Sequence, residues 1–227
     1  SLKSISELKK DIEKQIRKVY EIADTPVEQE KRVIQLDGER DEDEDIEQTS
    51  NTKSFVDFTA ILLSNALGIA FGRWDIRYAT GEQTAPELPD PFAPLPVCPP
   101  GQLQNAQGLP ARQEDVPPAY PVRIPWDGIL VDDPDHPLDI ERRVREVIEI
   151  IWSGKEGGRT AEAIEHEACE ILGVKSLRDY VRKPAGFFAD HLKRYSKSRR
   201  QAPIYWPLSS PSGTYTLWIY YHRLTAD

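Results

Sequence analysis

Apolar residues recur at helical spacing from the start of the chain. Over the first 22 residues they fall three or four positions apart, and Ser4 with Glu7 forms a capping-box signature. Thr25 and Pro26 repeat the start signal, and Gly38 marks the end of the segment that follows. The pattern therefore predicts two helices that pair as a hairpin.

The longest apolar stretch runs from Phe55 to Phe71. Because it contains Asp57 and has polar flanks, it indicates a buried core helix rather than a bilayer span. We expect Asn51 or Thr52 to cap its N-terminus and Gly72 to end it.

A proline-rich segment follows. Twelve of the 19 prolines fall between Gln83 and Asp127, a density that neither a helix nor a central strand tolerates. We predict an ordered crossing strap with a mobile polar middle over Gly101 to Asp115. Its apolar residues are expected to pack against a neighbouring element: Phe92, Leu95, Val97, Tyr120, Ile124 and Trp126.

Helical periodicity returns in the last third of the chain. The spacing of apolar residues and the capping signals predict four helices, over Asp139–Trp152, Thr160–Gly173, Ser176–Lys183 and Phe187–Ser196. Two arms of alternating aromatic and aliphatic residues then flank "SSPSG", which predicts a β-hairpin over Ala202–Tyr221. Its aromatic face is expected to join the core of the preceding helices.

Together these elements predict an α+β fold, mostly α. It has helical bundle-like regions, a long Pro-rich crossing strap and a C-terminal antiparallel β-hairpin. We divide the chain into a helical region over 1–82 with an acidic loop at 39–50, the strap over 83–133, and a helical basic region over 134–227 that ends in the hairpin.

Charge is distributed unevenly over the 227 residues, whose net charge is −9. Between Gly173 and Arg200, nine Lys or Arg oppose Asp179 and Asp190, a local balance of +7 that leaves −16 elsewhere. Much of the negative charge lies in "ERDEDEDIEQ", which is typical of a solvated loop. The alternative is an acidic mimic that competes for a basic groove.

The cysteines indicate the compartment. Cys98 and Cys169 lie far apart in sequence, and no charged segment with an apolar run opens the chain. We therefore expect a cytoplasmic, reducing location.

The sequence contains only weak matches to known catalytic motifs. "VPPAY" and "CPPG" approach the Asn-Pro-Pro-Tyr motif of amino-methyltransferases but lack its first residue, and no Gly-rich turn offers a phosphate cradle. His166 and Cys169 have helical spacing but no second pair of zinc ligands nearby. Asp132 and Asp133 are more typical of a turn and helix cap than of a metal site or a hydrolase. We predict no catalytic, cofactor-binding or metal residues in this chain.

The basic segment is the strongest candidate site. A helix dipole accounts for one or two cations at a C-terminus, whereas contact with several phosphates accounts for the whole cluster. Most aromatics of the hairpin are assigned to the core rather than to base stacking. The candidate DNA-binding residues are Arg178, Arg182, Lys183, Lys193, Arg194, Tyr195, Lys197, Arg199 and Arg200.

Several long motifs point to one family. "FGRWDIRYATG", "LPDPFAPLPVCPPG", "WDGILVDD", "EACEILGVKSLRDYVRKP" and "YSKSRRQAPIYWPLSSPSGTYTLWIYYHRL" resemble the C-terminal region of the adenine-specific DNA methyltransferases of bacterial phage-exclusion (BREX, PglX-type) systems. The resemblance extends from Phe71 to Leu224. It implies a parent enzyme that uses S-adenosylmethionine to methylate adenine N6 in a short site, with its catalytic motifs upstream.

The resemblance leaves two roles open for this part. The first is a non-catalytic accessory region for target recognition that engages double-stranded DNA beside an upstream methyltransferase domain. The second is a protein-interaction scaffold, whose amphipathic first helix and acidic loop dock the enzyme to other defence-system subunits. Neither role involves a membrane. An autonomous hydrolase that uses Asp132 is a weaker third reading.

Overall fold

We describe the protein from a computed structural model. The structure describes residues 43–84, 86–87, 90, 92–152, 159–183, 185–197 and 200–224. The predicted N-terminal helical hairpin lies outside these residues.

The described residues form an α+β fold that is mostly helical. The helices are α1 (Asp43–Ala70), α2 (Ile76–Thr80), α3 (Ile140–Trp152), α4 (Ala161–Leu172), α5 (Leu177–Arg182) and α6 (Phe187–Tyr195). The strands are β1 (Ile129–Val131), β2 (Ser196–Lys197), β3 (Arg200–Gln201), β4 (Tyr205–Ser209) and β5 (Thr216–Tyr220). Short 3-10 turns cover Gln113–Asp115 and Tyr221–Arg223.

Helix α1 begins earlier than the sequence pattern predicts. Residues Asp43 to Ser50 are helical, so the expected acidic loop over 39–50 is wrong for this part, and Asn51 and Thr52 lie inside the helix rather than at its cap. The dipole of a helix favours carboxylates near its N-terminus, which allows an acidic run to begin one. The apolar part of α1 is buried from Thr59 onward, and Gly72, with φ 69°, follows its end as predicted.

The helices of the last third match their predictions. Helix α4 has Thr160 as its N-cap and the left-handed Gly173 at its C-terminus. Ser176 caps α5 by accepting a hydrogen bond from the Asp179 backbone N–H. The predicted apolar stripe of α3 is buried: Ile140, Val144, Val147, Ile148 and Ile151.

The hairpin formed by β4 and β5 belongs to a three-stranded antiparallel sheet with the order β1-β5-β4. Its inner face carries Tyr205, Trp218 and Tyr220 into the core that also holds α1 and α3. Two of its ring partners lie outside the helices of residues 139–183: Phe71, which follows the end of α1, stacks on Tyr205 at 5.1 Å between ring centroids, and Phe187 of α6 meets Trp218 at 5.4 Å.

The strap is ordered but packs unevenly. Leu103, Ala111 and Ile124 form a small buried cluster, against which Tyr120 and Trp126 pack. The expected packing is wrong for three other apolar residues, which are exposed: Phe92, Leu95 and Val97. The strap also contributes β1, which pairs with β5 and places Leu130 opposite Trp218.

The polar middle of the strap differs from the mobile segment that we expected. The Leu103 backbone N–H donates to the Arg73 carbonyl at 2.9 Å, and the Ala111 N–H donates to the Leu103 carbonyl at 3.1 Å. The Asn105 carboxamide oxygen accepts from the N–H groups of Gln107 and Leu109, each at 3.0 Å. The middle therefore forms a closed loop held against the end of α1.

One hydrophobic core joins all three predicted regions. It includes Leu67 of α1, Val122 of the strap and Val144 of α3, together with the inner face of the sheet. Within the described residues, no helix is long and apolar enough to cross a membrane.

Candidate nucleic-acid interface

The predicted basic segment divides into two parts with different environments. The first part comprises Arg178 and Arg182 of α5 and Lys183, which is the C-cap residue of that helix. The second part, which we call the basic finger, runs from Lys193 to Gln201 and comprises the last turn of α6, strand β2 and strand β3.

Arg178 is part of an ion-pair network that holds the fold together. Its guanidinium contacts Asp132, lies 2.9 Å from an Asp139 carboxylate oxygen and lies 2.7 Å from an oxygen of Glu141. The Asp132 and Asp139 side chains are buried, so the guanidinium neutralises carboxylates that have little access to water. We therefore remove Arg178 from the set of phosphate-binding candidates.

The other two cations of α5 are also paired. Arg182 Nε donates to Asp132 at 2.6 Å, and Lys183 Nζ lies 3.3 Å from an oxygen of Asp179. Burial opposes the charge of Arg178, but the hydrogen bonds that it donates to Asp139 and Asp132 raise its pKa above the ordinary value. Ion pairs thus connect helix α5 to the loop before α3.

The network also corrects the reading of the acidic pair before α3. Asp133 makes the expected turn, because it accepts from the Asp135 N–H at 3.1 Å. The helix cap is Asp139, which accepts from the Arg142 N–H at 3.1 Å, whereas Asp132 serves the ion pairs. Asp132 therefore has a structural role that the sequence pattern did not reveal.

The basic finger begins with two exposed cations. The Lys193 side chain is 79% exposed, and its Nζ lies 3.5 Å from Asp190. An ion pair this open to solvent contributes little. Arg194 is exposed, and no carboxylate within the described part of the chain forms an ion pair with it. Both side chains are therefore available to an external anion.

Strands β2 and β3 form a two-stranded antiparallel ribbon at the tip of the finger. Ser196 is the partner of Gln201, and Lys197 is the partner of Arg200. Arg199 lies outside the described residues. The register places two cationic residues directly opposite each other.

The base of the finger is fixed to the core by a cluster of Arg73, His191 and Tyr195. The Tyr195 hydroxyl accepts a 2.8 Å hydrogen bond from Arg73, and its ring lies 4.8 Å from that of His191. His191 Nε2 accepts from the backbone N–H groups of Ile204 at 2.8 Å and Tyr205 at 3.3 Å. Tyr195 therefore positions the finger.

His191 can accept both hydrogen bonds only when its Nε2 carries no proton. Burial, followed by the positive charges of Arg73 and Arg194, lowers the pKa of His191 to about 4. The imidazole is therefore neutral at physiological pH and links α6 to the start of β4.

The residues in motifs with possible catalytic chemistry make contacts that serve the fold. Tyr120, in "VPPAY", accepts from the Ile76 N–H at 3.1 Å and donates to Asp75 at 3.3 Å. Burial, aided by nearby carboxylates, raises the pKa of the Cys169 thiol to about 11, and the exposed His166 lies 3.7 Å from Glu170. Across the described ranges, no group of three or more His, Cys, Asp or Glu side chains could hold a metal ion.

Sequence reasoning missed two arginines that the fold places beside a cleft, Arg73 and Arg223. Both occur in the quoted motifs, within "FGRWDIRYATG" and "IYYHRL", but neither belongs to a run of cations in the sequence. Only the packing of the strap against the end of the chain brings them to one place.

Comparison with the models of known protein families and with curated proteins finds no match for this chain. The functional assignment therefore depends on the chain's own residues.

Proposed function

We propose that this chain is the non-catalytic, DNA-engaging part of a site-specific adenine-N6 DNA methyltransferase of a phage-defence or restriction-modification system. The observation that carries the proposal is the basic finger, where the exposed Lys193 and Arg194 lie next to a base held by Arg73, His191 and Tyr195. The quoted motifs support the parent class, for which S-adenosylmethionine is the expected cofactor. Phosphate contacts position a protein on a duplex, so the role is accessory to catalysis.

The register of the ribbon favours an anionic partner. Lys197 and Arg200 are directly opposite each other, and like charges in that relation destabilise an antiparallel pair. A polyanion relieves the repulsion, and each phosphate contact also releases condensed counterions. A two-stranded ribbon is narrow enough to enter the major groove of duplex DNA.

The test is a salt-dependent binding titration of a triple variant, Lys193→Ala with Arg194→Ala and Lys197→Ala. We expect affinity to fall by a similar factor on every duplex, because phosphates are the same in all sequences. The slope of log affinity against log salt should flatten by roughly 2 to 3 units.

A matched control removes three exposed cations elsewhere, Arg123, Arg142 and Lys175. It changes the net charge equally and should leave the salt slope close to that of the wild type. An unchanged slope in the finger variant, together with a lowered melting temperature, would show that these cations only stabilise α6 through its dipole.

The parent activity is tested by the residues that precede Ser1 in the native chain. We expect a Gly-rich cofactor motif and an Asn-Pro-Pro-Tyr motif upstream. A native chain that lacks both would contradict the methyltransferase assignment but would leave the DNA contact of the finger to be judged by the titration.

A second candidate, the protein-interaction scaffold, is favoured by the outer face of the sheet. Trp206 lies opposite Ile219 and Leu208 lies opposite Leu217, so alternate residues place an apolar surface away from the core. Trp206 and Leu208 are exposed. An apolar sheet face of this kind is suited to a protein partner.

The two candidate functions differ in which binding activity a variant of the outer sheet face should lose. The double variant Trp206→Ser with Leu208→Ser should abolish binding to a separately produced methyltransferase domain if the scaffold role holds, and should leave DNA binding intact. If that variant binds the domain as the wild type does, the sheet face is not the docking surface.

A further inference from the structure

A cleft separate from the tip of the finger lies between the polar loop of the strap and the C-terminal 3-10 turn. Its volume is about 1040 Å³. Sites for small molecules commonly enclose about 300 to 1,000 Å³, so the space is ample for one organic ligand. The lining combines cationic, amide and apolar side chains.

Arg223 lines the cleft in a fixed position. It donates to the Gly72 carbonyl at 2.8 Å and to the Ala111 carbonyl at 3.2 Å, and its guanidinium lies 4.6 Å from the centre of the Trp126 ring. Its Nε is buried and has no hydrogen-bond partner within the described part of the protein. Burial lowers the pKa of Arg223, which reflects a charge with poor access to water.

Arg73 lines the same cleft and connects it to the base of the finger. Its guanidinium lies 4.3 Å from the centre of the Trp74 ring and donates to Tyr195. Gly68 permits this arrangement, since a Cβ there would lie 2.3 Å from Trp74 Cδ1. The orientation of Arg73 is therefore set by two rings.

Both arginines are partly buried: burial lowers the pKa of Arg223, whereas for Arg73 burial is outweighed by Tyr205 and Tyr195, which raise its pKa. Among the described residues, no carboxylate forms an ion pair with Arg73 or Arg223, whereas Arg77, Arg145 and Arg178 are each paired. A partly desolvated charge without a counterion is unfavourable. Two such charges beside one cleft indicate that an anion completes the site.

A third arginine and two carboxylates complete the charged lining. Arg112 is exposed, and so are Glu114 and Asp115. Asp115 accepts a hydrogen bond from the Arg112 backbone N–H at 2.9 Å. Because the carboxylates are open to water, they oppose an anion beside the half-buried guanidinium groups only weakly.

The uncharged lining fits the organic part of a nucleotide. Val97 and Leu109 supply exposed apolar surface, and Gln102 supplies an amide that can pair with a base edge. The Asn105 oxygen is used within the loop, which leaves its NH₂ group as a donor. Guanidinium groups bind phosphate and also stack on bases.

We propose that this cleft binds a nucleoside monophosphate unit, with the phosphate on Arg73, Arg112 and Arg223 and the base against the apolar and amide lining. The unit is either a free nucleotide or an unpaired nucleotide of a single strand. The site uses none of the finger cations, so it can fail without the proposed duplex contact failing.

The test is calorimetric titration of the whole chain with four probes: dAMP, deoxyadenosine, inorganic phosphate and a ten-residue oligodeoxyadenylate. We expect dAMP to bind at least tenfold more tightly than deoxyadenosine or phosphate, because it alone combines both parts. If only the oligonucleotide binds, the single strand is the source of the unit. If neither dAMP nor the oligonucleotide binds, the proposal is overturned.

Two variants locate the binding. Arg112→Ala changes an exposed side chain, and Arg223→Lys keeps the charge but removes the planar fork; each should weaken the binding of dAMP or the oligonucleotide about tenfold. Arg123→Ala, an exposed arginine of the same strap, is the matched control and should have no effect. Melting curves identify a variant that has lost its fold. Binding that is unchanged in Arg112→Ala and in a folded Arg223→Lys would overturn the proposal.

Discussion

At the scale of single residues, Arg178 shows how a cation in a basic sequence can belong to the fold. It contacts three carboxylates from the loop and first turn that lead into α3: Asp132, Asp139 and Glu141. No local spacing reveals this, because the carboxylates lie about 40 residues upstream in the chain. The loss of such a partner leaves buried charge behind, which costs more than the loss of a surface pair.

We therefore expect Arg178→Ala to lower the free energy of unfolding by about 3 to 5 kcal/mol. Lys183→Ala, on the same helix, removes a solvent-exposed pair with Asp179 and should change it by less than about 1 kcal/mol. Chemical denaturation of both variants measures the difference. If both variants lower the free energy of unfolding by equally small amounts, water replaces the ion pairs that Arg178 makes.

His191 gives the fold a dependence on pH. Its pKa is lowered to about 4 from the ordinary 6.5, so the unfolded chain binds a proton more readily than the folded protein. The neutral imidazole of His191 makes its full contribution to the free energy of unfolding above pH 6.5. About 3 kcal/mol of that free energy is lost as the pH falls through 6.5 toward 4.

The variant His191→Gln cannot titrate but keeps an acceptor for the backbone. Its free energy of unfolding should fall less steeply than that of the wild type between pH 6.5 and 4. Carboxylates titrate in the same range, so the difference between the two proteins isolates the imidazole. Parallel pH curves would contradict the role assigned to His191.

The two tryptophans of the hairpin lie on opposite faces of the sheet. Trp218 is 1% exposed, whereas Trp206 is 45% exposed. Replacing Trp218 by Ala should destabilise the protein by about 3 to 5 kcal/mol, because it leaves a cavity in the core. Trp206→Ala is the matched control and should cost much less in a thermal melt. A wild-type melting temperature for Trp218→Ala would place that ring outside the core.

At the scale of elements, the helices and strands that are predicted correctly are those that local sequence signals specify. Helices α3 to α6 and the β4–β5 hairpin are predicted correctly because periodicity, caps and turn residues agree over each segment. Strand β1 is missed because its three apolar residues show no alternation and depend on β5 for pairing. The start of α1 is missed because charged residues without an apolar stripe resemble a loop.

The same distinction applies to the candidate sites. The cations of the finger all fall within eight residues of sequence, so their clustering is visible without a fold. Arg73 and Arg223 lie 150 residues apart and are joined through the carbonyl of Gly72 and the packing of the strap. Whether a cation is free or paired is likewise a tertiary property, as the contrast between Arg194 and Arg178 shows.

At the scale of the whole molecule, the net charge of −9 and the basic finger act over different distances. Exposed charges separated by more than about 8 to 10 Å are largely screened at physiological salt. For the proposed DNA contact, we therefore expect the acidic remainder to slow the approach of DNA and to lower affinity at low salt, and contacts within the finger to set the number of counterions released.

The number of cations in the finger sets an upper limit on the salt dependence that the proposed contact can have in the wild-type protein. The finger holds five cations, Lys193, Arg194, Lys197, Arg199 and Arg200, and each phosphate contact contributes about −0.9 to the slope of log affinity against log salt. We expect a slope between about −3 and −4.5 on duplex DNA, measured by titration at several salt concentrations. A steeper slope that survives the triple finger variant would place the main contacts on another surface. A slope near zero would remove phosphate binding from the function of the finger and leave the apolar face of the sheet as the better supported interaction surface.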